Sequence, residues 1–329
     1  MKNIFFPHFP KLCIFFVVLH ILIIKTNSVI NFIYPYSFTL TNGNIFIIHK
    51  TGITICNGYY SKIISNVLTF SANEEITLTT LSKITTVFED DYIFSTINDK
   101  IYIFSGEGAL ISYTTKSILE SGETAEYYTL VIIKKDTNYY HFVIGYVHNK
   151  LLYFRYFRFG FNLSTKQITE KYSRKAQKYR SSFYLNTNAL SCQYMINSRK
   201  INVLVCFFSI YYSSERNYKI IIEYFSVTET SITEHSSFNS IYSNFEIISC
   251  IKSSINVARS KLLVGLYLSS NEGRYFLFDI NNLPGSSLEY FYFIDQHCRL
   301  NYYGLKVNYY KEKQEYIYTC IDNNVKILV

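Results

Sequence analysis

Apolar and polar positions repeat along this chain in a fixed order: a β-rich apolar run, a few turn-forming residues, then a second β-rich run. The pattern occurs in NIFIIHKTGITIC from Asn44, YIFSTINDKIYIFS from Tyr92 and FVIGYVHNKLLYFRYF from Phe142. It recurs in INVLVCFFSIYYSSERNYKIIIEYFSV from Ile201, KLLVGLYLSSNEGRYFLFDI from Lys261 and EYIYTCIDNNVKILV from Glu315. Thr51-Gly52, Asn98-Asp99, His148-Asn149, Asn271-Glu272-Gly273 and Asp322-Asn323-Asn324 stand between the runs and include residue types that tolerate the positive φ of tight hairpins. The pattern predicts a hairpin at each position.

A further β-rich run precedes every hairpin: YPYSFTLT, LSKITTVF, YYTLVIIK, ALSCQYMI, FEIISCIK and YGLKVNYY. All but the last are also followed by one: KIISNVLTF, ALISYTTKS, TKQITEKYS, SITEHSS and SSLEYFYFI. The repeating unit is therefore four strands, and successive hairpin centres lie roughly 47 to 60 residues apart, the length of a propeller blade rather than of a simple meander. The chain resembles the β-propeller superfold over nearly all its length, as an all-β ring of about six four-stranded blades. That resemblance implies an innermost strand first, the hairpin in the middle and a weaker, polar run at the outer edge. Middle strands covered on both faces need no alternation, and NVLVCFF has none. The last unit ends at Val329 after its third strand, so the final blade is either incomplete or closed by VINFIY from Val29. With no Trp, the chain has no Trp-Asp repeat, and it carries no paired glycines of the kelch kind. Propellers serve as enzymes, lectins, receptors and scaffolds alike, so architecture does not select among them.

The N-terminus reads differently. Lys2 and Lys11 precede a largely apolar run from Leu12 to Ile24, which Lys25, Thr26 and Ser28 follow. This is the order of a signal peptide, and the run is shorter than the roughly 20 residues of a spanning helix. The expected organisation is a signal peptide or signal-anchor over 1–28 and a propeller over 29–329. The expected location is secreted or on the cell surface, with a single N-terminal anchor as the alternative.

Ile, Tyr, Phe and Thr are abundant in the composition, which favours strands, although codons rich in A and T account for part of that bias. The net charge of +8 is concentrated: nine Lys and Arg residues and one acid, Glu170, lie between Lys150 and Arg180. The densest part, Lys171, Arg174, Lys175, Lys178 and Arg180, is expected in a connection between units, where it could attract an anionic glycan or simply be solvated. Nucleic acid is not expected, because the aromatic residues nearby are accounted for by strands. The membrane is expected to matter only through an uncleaved N-terminal anchor.

Once Cys13 leaves with the leader, six cysteines remain, an even number suited to an oxidising compartment. A hairpin centred near Arg199 sets Cys192 opposite Cys206, and Cys298 and Cys320 hold comparable places in the last unit. Both pairs are expected as disulfides, with buried free thiols as the alternative. Cys56 and Cys250 have no assigned partner, and Gly265 stands where a partner for Cys250 is expected. No C-x-x-C, G-x-S-x-G, Walker or G-x-G-x-x-G motif occurs. His49, His141, His148 and His235 lack metal-ligand spacing, and Glu89-Asp90-Asp91 reads as a solvated turn rather than a calcium loop. No catalytic residue, metal or cofactor is assigned. Asn162-Leu163-Ser164 is the sole N-x-S/T sequon after the leader and is a candidate glycosylation site.

These features favour a non-enzymatic binding or adhesion module that takes an extracellular protein or anionic glycan on loops at one end of the ring. A structural part of a larger surface protein is one alternative. An extracellular hydrolase is the other, and its channel-mouth carboxylates would be Glu89, Asp90 and Asp136.

Overall fold

The computed structural model describes strand backbones from residue 37 to residue 328, with the connecting segments of 84–125, 127–149, 151–178 and 228–231. Side chains are described for 84–125, 127–149, 151–171, 173, 190–195, 203–209, 211, 220–234, 251, 253–255 and 261–266.

The described strands form six antiparallel sheets, each a meander of consecutive strands. Sheet 1 holds β1 (Ser37–Leu40), β2 (Asn44–His49), β3 (Gly52–Asn57) and β4 (Lys62–Leu68). Sheet 2 holds β5 (Thr85–Glu89), β6 (Tyr92–Ile97), β7 (Lys100–Ser105) and β8 (Leu110–Tyr113). Sheet 3 holds β9 (Tyr128–Lys135), β10 (Tyr139–His148), β11 (Leu151–Gly160) and β12 (Ile168–Lys178). Sheet 4 holds β13 (Phe183–Ile196), β14 (Asn202–Tyr212), β15 (Asn217–Val227) and β16 (Ile232–Glu234), and β17 (Asn239–Phe245) also pairs with β15. Sheet 5 holds β18 (Ile248–Ile255), β19 (Lys261–Leu268), β20 (Gly273–Asp279) and β21 (Tyr290–Gln296). Sheet 6 holds β22 (Lys306–Tyr310), β23 (Glu315–Ile321) and β24 (Val325–Leu328).

Every strand belongs to the unit Tyr34–Val329. The first strand of each sheet neighbours the first strand of the next, from β1 through β5, β9, β13 and β18 to β22, and β22 returns to β1. Four-stranded meanders arranged radially about their first strands make the chain an all-β protein with the β-propeller architecture. The segment expected to close the ring, Val29 to Tyr34, lies outside the described residues, as does the expected leader.

Residue pattern explains the packing. In β14, Leu204, Cys206 and Phe208 join Val143, Leu152, Phe154 and Tyr156 in the layer between sheets 3 and 4. Their neighbours Val203, Val205 and Phe207 join Ile251, Leu262, Val264 and Leu266 in the layer between sheets 4 and 5. Successive side chains of a strand point to opposite faces, so a strand buried on both faces is apolar throughout. A third layer, between sheets 2 and 3, sets Phe94 against Tyr140, Phe142 and Phe159, with ring centroids 5.4, 5.4 and 6.1 Å away. Gly145, in the middle of β10, faces the layer between sheets 3 and 4 and makes room for its packing: a Cβ there would lie 2.9 Å from Thr129 Cγ2 and 3.0 Å from Phe154 Cε1.

Some expectations need correction. The pairs His49↔Gly52 and His148↔Leu151 put Gly52 and His148 inside strands, each one residue from the expected turn. The turn Asn98-Asp99 lies where expected, and both residues have positive φ (48° and 63°), the requirement of a two-residue hairpin of type I′. Sheet 4 has a fifth strand, because β15 is longer than β16 and its free edge from Tyr218 to Ile222 is taken by β17.

Candidate functional site

Sheet 3 carries a polar cluster at each end. At the first end the turns β5–β6, β9–β10, β11–β12 and β15–β16 meet. Asp136, in the β9–β10 turn, accepts the backbone N–H groups of Asn138 and Tyr139 on Oδ1, at 2.9 and 2.8 Å. Its Oδ2 lies 2.7 Å from Nε2 of the buried His141. A carboxylate can only accept, so Nε2 carries the shared proton, and Nδ1 faces the Tyr156 hydroxyl at 3.0 Å. Burial pushes the Asp136 carboxyl up, but the His141 contact and the two N–H groups outweigh it and hold the group at about 2. Burial also pushes the Tyr156 phenol above its ordinary value.

Neighbouring sheets are tied to this end. Lys135 donates to Asp90 of sheet 2 at 2.8 Å, and Tyr140 donates to the same carboxylate at 2.9 Å. The Lys135 ammonium also lies 5.0 Å from the Tyr140 ring centroid and 5.1 Å from that of Phe161. Burial, together with the Asp90 contact, pushes the Tyr140 phenol up to about 12. On the other side Lys134 donates to Glu229 of the β15–β16 turn at 2.9 Å. That contact, ahead of the more distant His141 and Arg158, holds Glu229 below the usual carboxylate range.

At the second end the connection after β8 reaches the β6–β7 turn through Ile118, whose N–H donates to the Asp99 carbonyl at 2.6 Å, and β10 through Thr124. Here the guanidinium of the buried Arg155 lies 3.0 Å from Glu120, 3.8 Å from Glu123 and 3.6 Å from Glu170. Tyr146 donates to Glu123 at 2.8 Å and Tyr128 donates to Asp99. Burial, and secondarily these carboxylates, raise both phenols. Burial opposes a charge on Arg155, yet the surrounding Tyr146, Glu170 and Glu123 outweigh it and hold the guanidinium protonated. Burial raises Glu170 against the pull of Arg155. His148 Nδ1 accepts the backbone N–H of Thr124 at 3.0 Å and so pins the connection to β10.

The residues singled out from the sequence fall as follows. Cys192 pairs with Cys206 in the β13–β14 register, and their sulfurs are 1.99 Å apart with Cα atoms at 4.1 Å. Cys298 lies outside the described residues, and Cys320 stands in β23 opposite Lys326. Cys250 pairs with Tyr267, while Gly265 pairs with Lys252, because the β18–β19 hairpin holds one unbroken register from Ile255↔Leu262 to Cys250. Asn162 is exposed in the β11–β12 turn.

The basic segment is corrected in place. Lys171, Arg174, Lys175 and Lys178 belong to β12, the outer strand of sheet 3, and not to a connection; Arg180 lies outside the described residues. Two register shifts divide them: Lys171 occupies one bulge, Lys175 and Lys178 pair with Tyr153 and Leu151, and Arg174 pairs with Phe154. Arg155 and Arg158 also take opposite faces, as their spacing predicts, and Arg158 stacks 4.2 Å from the Tyr139 ring centroid.

Of the hydrolase candidates, Asp90 and Asp136 occupy neighbouring turns at one end, each already engaged by the donors named above, and Glu89 ends β5 opposite Tyr92. Among the described residues no three His, Cys, Asp or Glu side chains are placed to hold a metal ion. No described helix is long and apolar enough to cross a membrane. The sequence reading missed the roles of Arg155, His141, Tyr156 and Glu229. The one legible signal was a charged or titratable residue, Arg155 or His141, inside an otherwise apolar strand.

No protein-family model and no curated protein matches the chain. Solved structures do. A Bacteroides uniformis protein provisionally called a 6-phosphogluconolactonase superposes with a TM-score of 0.48 at 10% identity, over 89% of this chain and 80% of that one. The β-propeller domain of Nup133 from Vanderwaltozyma polyspora gives 0.47 at 12% identity, over 88% and 80%. The lectin SapL1 in complex with alpha methyl fucoside gives 0.46 at 8% identity, over 88% and 94%. Likeness at this level conveys nothing about activity.

Proposed function

We propose that the chain is a non-enzymatic binding module, secreted or displayed at the cell surface, which takes a protein or glycan on loops at one end of the propeller. The observation that supports this reading is that both ends of sheet 3 are held by paired polar side chains. Lys134, Lys135, Asp136 and His141 fix the turns at one end, and Arg155, Tyr146 and His148 fix the connection at the other. Loops ordered before binding lose little entropy when a partner docks, which is the physical advantage of a rigid ring as a platform.

The chemistry at the turns favours binding over hydrolysis. A carboxylate that acts as nucleophile or base must be free to meet the substrate. Asp90 and Asp136 instead spend their oxygens on Lys135, Tyr140, His141 and two backbone N–H groups.

The test is a screen of the purified full chain on glycan arrays and intact cells at low and high salt. It is repeated with Lys171, Arg174, Lys175, Lys178 and Arg180 neutralised. Saturable binding to one ligand class supports the module. Binding lost only in the neutralised variant assigns it to β12 and an anionic glycan, whereas turnover of a glycan or ester substrate overturns the reading. A reporter fused behind residues 1–28 tests the location: retention in the cytosol excludes a secreted or surface form.

A further inference from the structure

We propose that Asn162 is an occupied N-glycosylation site and that its glycan covers the turn end of sheets 2 to 4, leaving the opposite end of the propeller for a partner. The proposal rests on the secretory reading above, since only a chain entering that pathway meets the transferase. The sequon alone does not carry it; the geometry of the turn does.

Residues 162–165 are exposed without a break at the tip of the β11–β12 turn, so the acceptor Asn162 and the Ser164 hydroxyl are both accessible. Asn162 Nδ2 donates to the Thr137 carbonyl at 2.7 Å, which ties the β11–β12 turn to the β9–β10 turn. A primary amide has two N–H groups. One holds Thr137, and the other is available for substitution.

The transfer balances. The Asn162 amide nitrogen attacks the anomeric carbon of an oligosaccharide carried on a lipid diphosphate. An N–C bond forms, the anomeric C–O bond breaks, the lipid diphosphate leaves with the electron pair, and the nitrogen releases one proton. The product is a secondary amide that keeps one N–H, so a donor to the Thr137 carbonyl remains after modification.

The position has a consequence for recognition. Thr137 adjoins Asp136, and Lys134 and Lys135, at the end of β9 beside this turn, reach Glu229 of sheet 4 and Asp90 of sheet 2. A glycan rooted at Asn162 therefore stands over the turns that connect three sheets. The connection 114–127 and the Asn98-Asp99 and Asn149 turns lie at the other end of β10 and stay uncovered.

The full chain is translated with endoplasmic microsomes and tested in parallel for protease protection and for a glycosidase-sensitive mass increase. A protected chain with one such increase, absent in Asn162→Gln and in Ser164→Ala and retained in Ser164→Thr, is the expected result. A protected chain without the increase overturns the glycan alone. A chain left open to protease overturns the secretory reading and the glycan with it. Amine acylation then tests the covering: Lys134 and Lys135 should react several-fold less in the glycosylated chain than in Ser164→Ala, with Lys116 unchanged. Equal reactivity at Lys134 and Lys135 overturns the assignment of the covered end.

Discussion

The two ends of sheet 3 hold the same kinds of residue in opposite surroundings. At the turn end the ion pairs Lys134–Glu229 and Lys135–Asp90 have side chains 41 to 49% exposed. At the connection end Arg155 is 7% exposed and Glu123 12%. Each end also has one buried histidine of β10. His141 stands between Asp136 on one ring nitrogen and the Tyr156 oxygen on the other. His148 receives the backbone N–H of Thr124 on Nδ1, which also lies 3.1 Å from the Thr124 carbonyl oxygen. The comparison teaches that burial and donor direction, and not residue type, set what each charged group contributes.

The largest effect is expected where the charge is most buried. Arg155→Met leaves Glu123 and Tyr146 without their cation in a desolvated layer, and it should cost about 3 kcal/mol in urea unfolding. A loss under about 1 kcal/mol would show that water already solvates the cluster.

Gly145→Ala is expected to follow. The added methyl meets Thr129 and Phe154 at or inside 3.0 Å, so the layer between sheets 3 and 4 must shift, at a cost of about 1 to 3 kcal/mol. His141→Phe should cost about 1 to 3 kcal/mol as well, because the buried Tyr156 hydroxyl and Asp136 lose their shared partner. The double change His141→Phe with Tyr156→Phe should recover part of that loss.

Asp136 gives the turn end a pH signature. Its carboxyl is held at about 2 against an ordinary 3.8, so the stability it adds is complete above the ordinary value and disappears as pH falls through about 2. The difference in urea midpoint between the parent chain and Asp136→Asn should therefore be constant at neutral pH and close over that acidic window. A difference independent of pH would exclude the carboxylate as its cause.

The smallest effect is expected for the exposed pairs. Lys134→Met with Glu229→Gln should change stability by less than about 1 kcal/mol, and less still at high salt. An effect as large as that of Arg155→Met would remove the contrast between the ends.

Much of this architecture was legible in the order of runs and turns. Hairpin centres, first strands and outer strands fall where the apolar pattern puts them, because a strand buried on both faces announces itself by an unbroken run such as Val203 to Phe208. Positions within the turns were off by a residue at Gly52 and His148, since Asn and Gly tolerate positive φ in either place while the pairing decides which is used. The strand β17 was missed because NSIYSNF is polar and takes its place from an edge left open by the short β16. The basic run was misplaced because Lys and Arg are as common on solvated edge strands as in loops.

The sequence by itself determined that this chain is built of repeated antiparallel units with both faces buried, for the period and composition leave no other use for so many aromatic and β-branched residues. It also set the opposition of Cys192 and Cys206, which follows from counting back from a hairpin. Only the tertiary structure decided which polar groups meet. Asp136 finds His141 within its own hairpin, but Lys134, Lys135 and Arg155 find carboxylates that lie 95, 45 and 35 residues away along the chain. No local pattern encodes those distances. The packing of one sheet on the next creates them, and that packing depends on the angle and register with which whole sheets settle together.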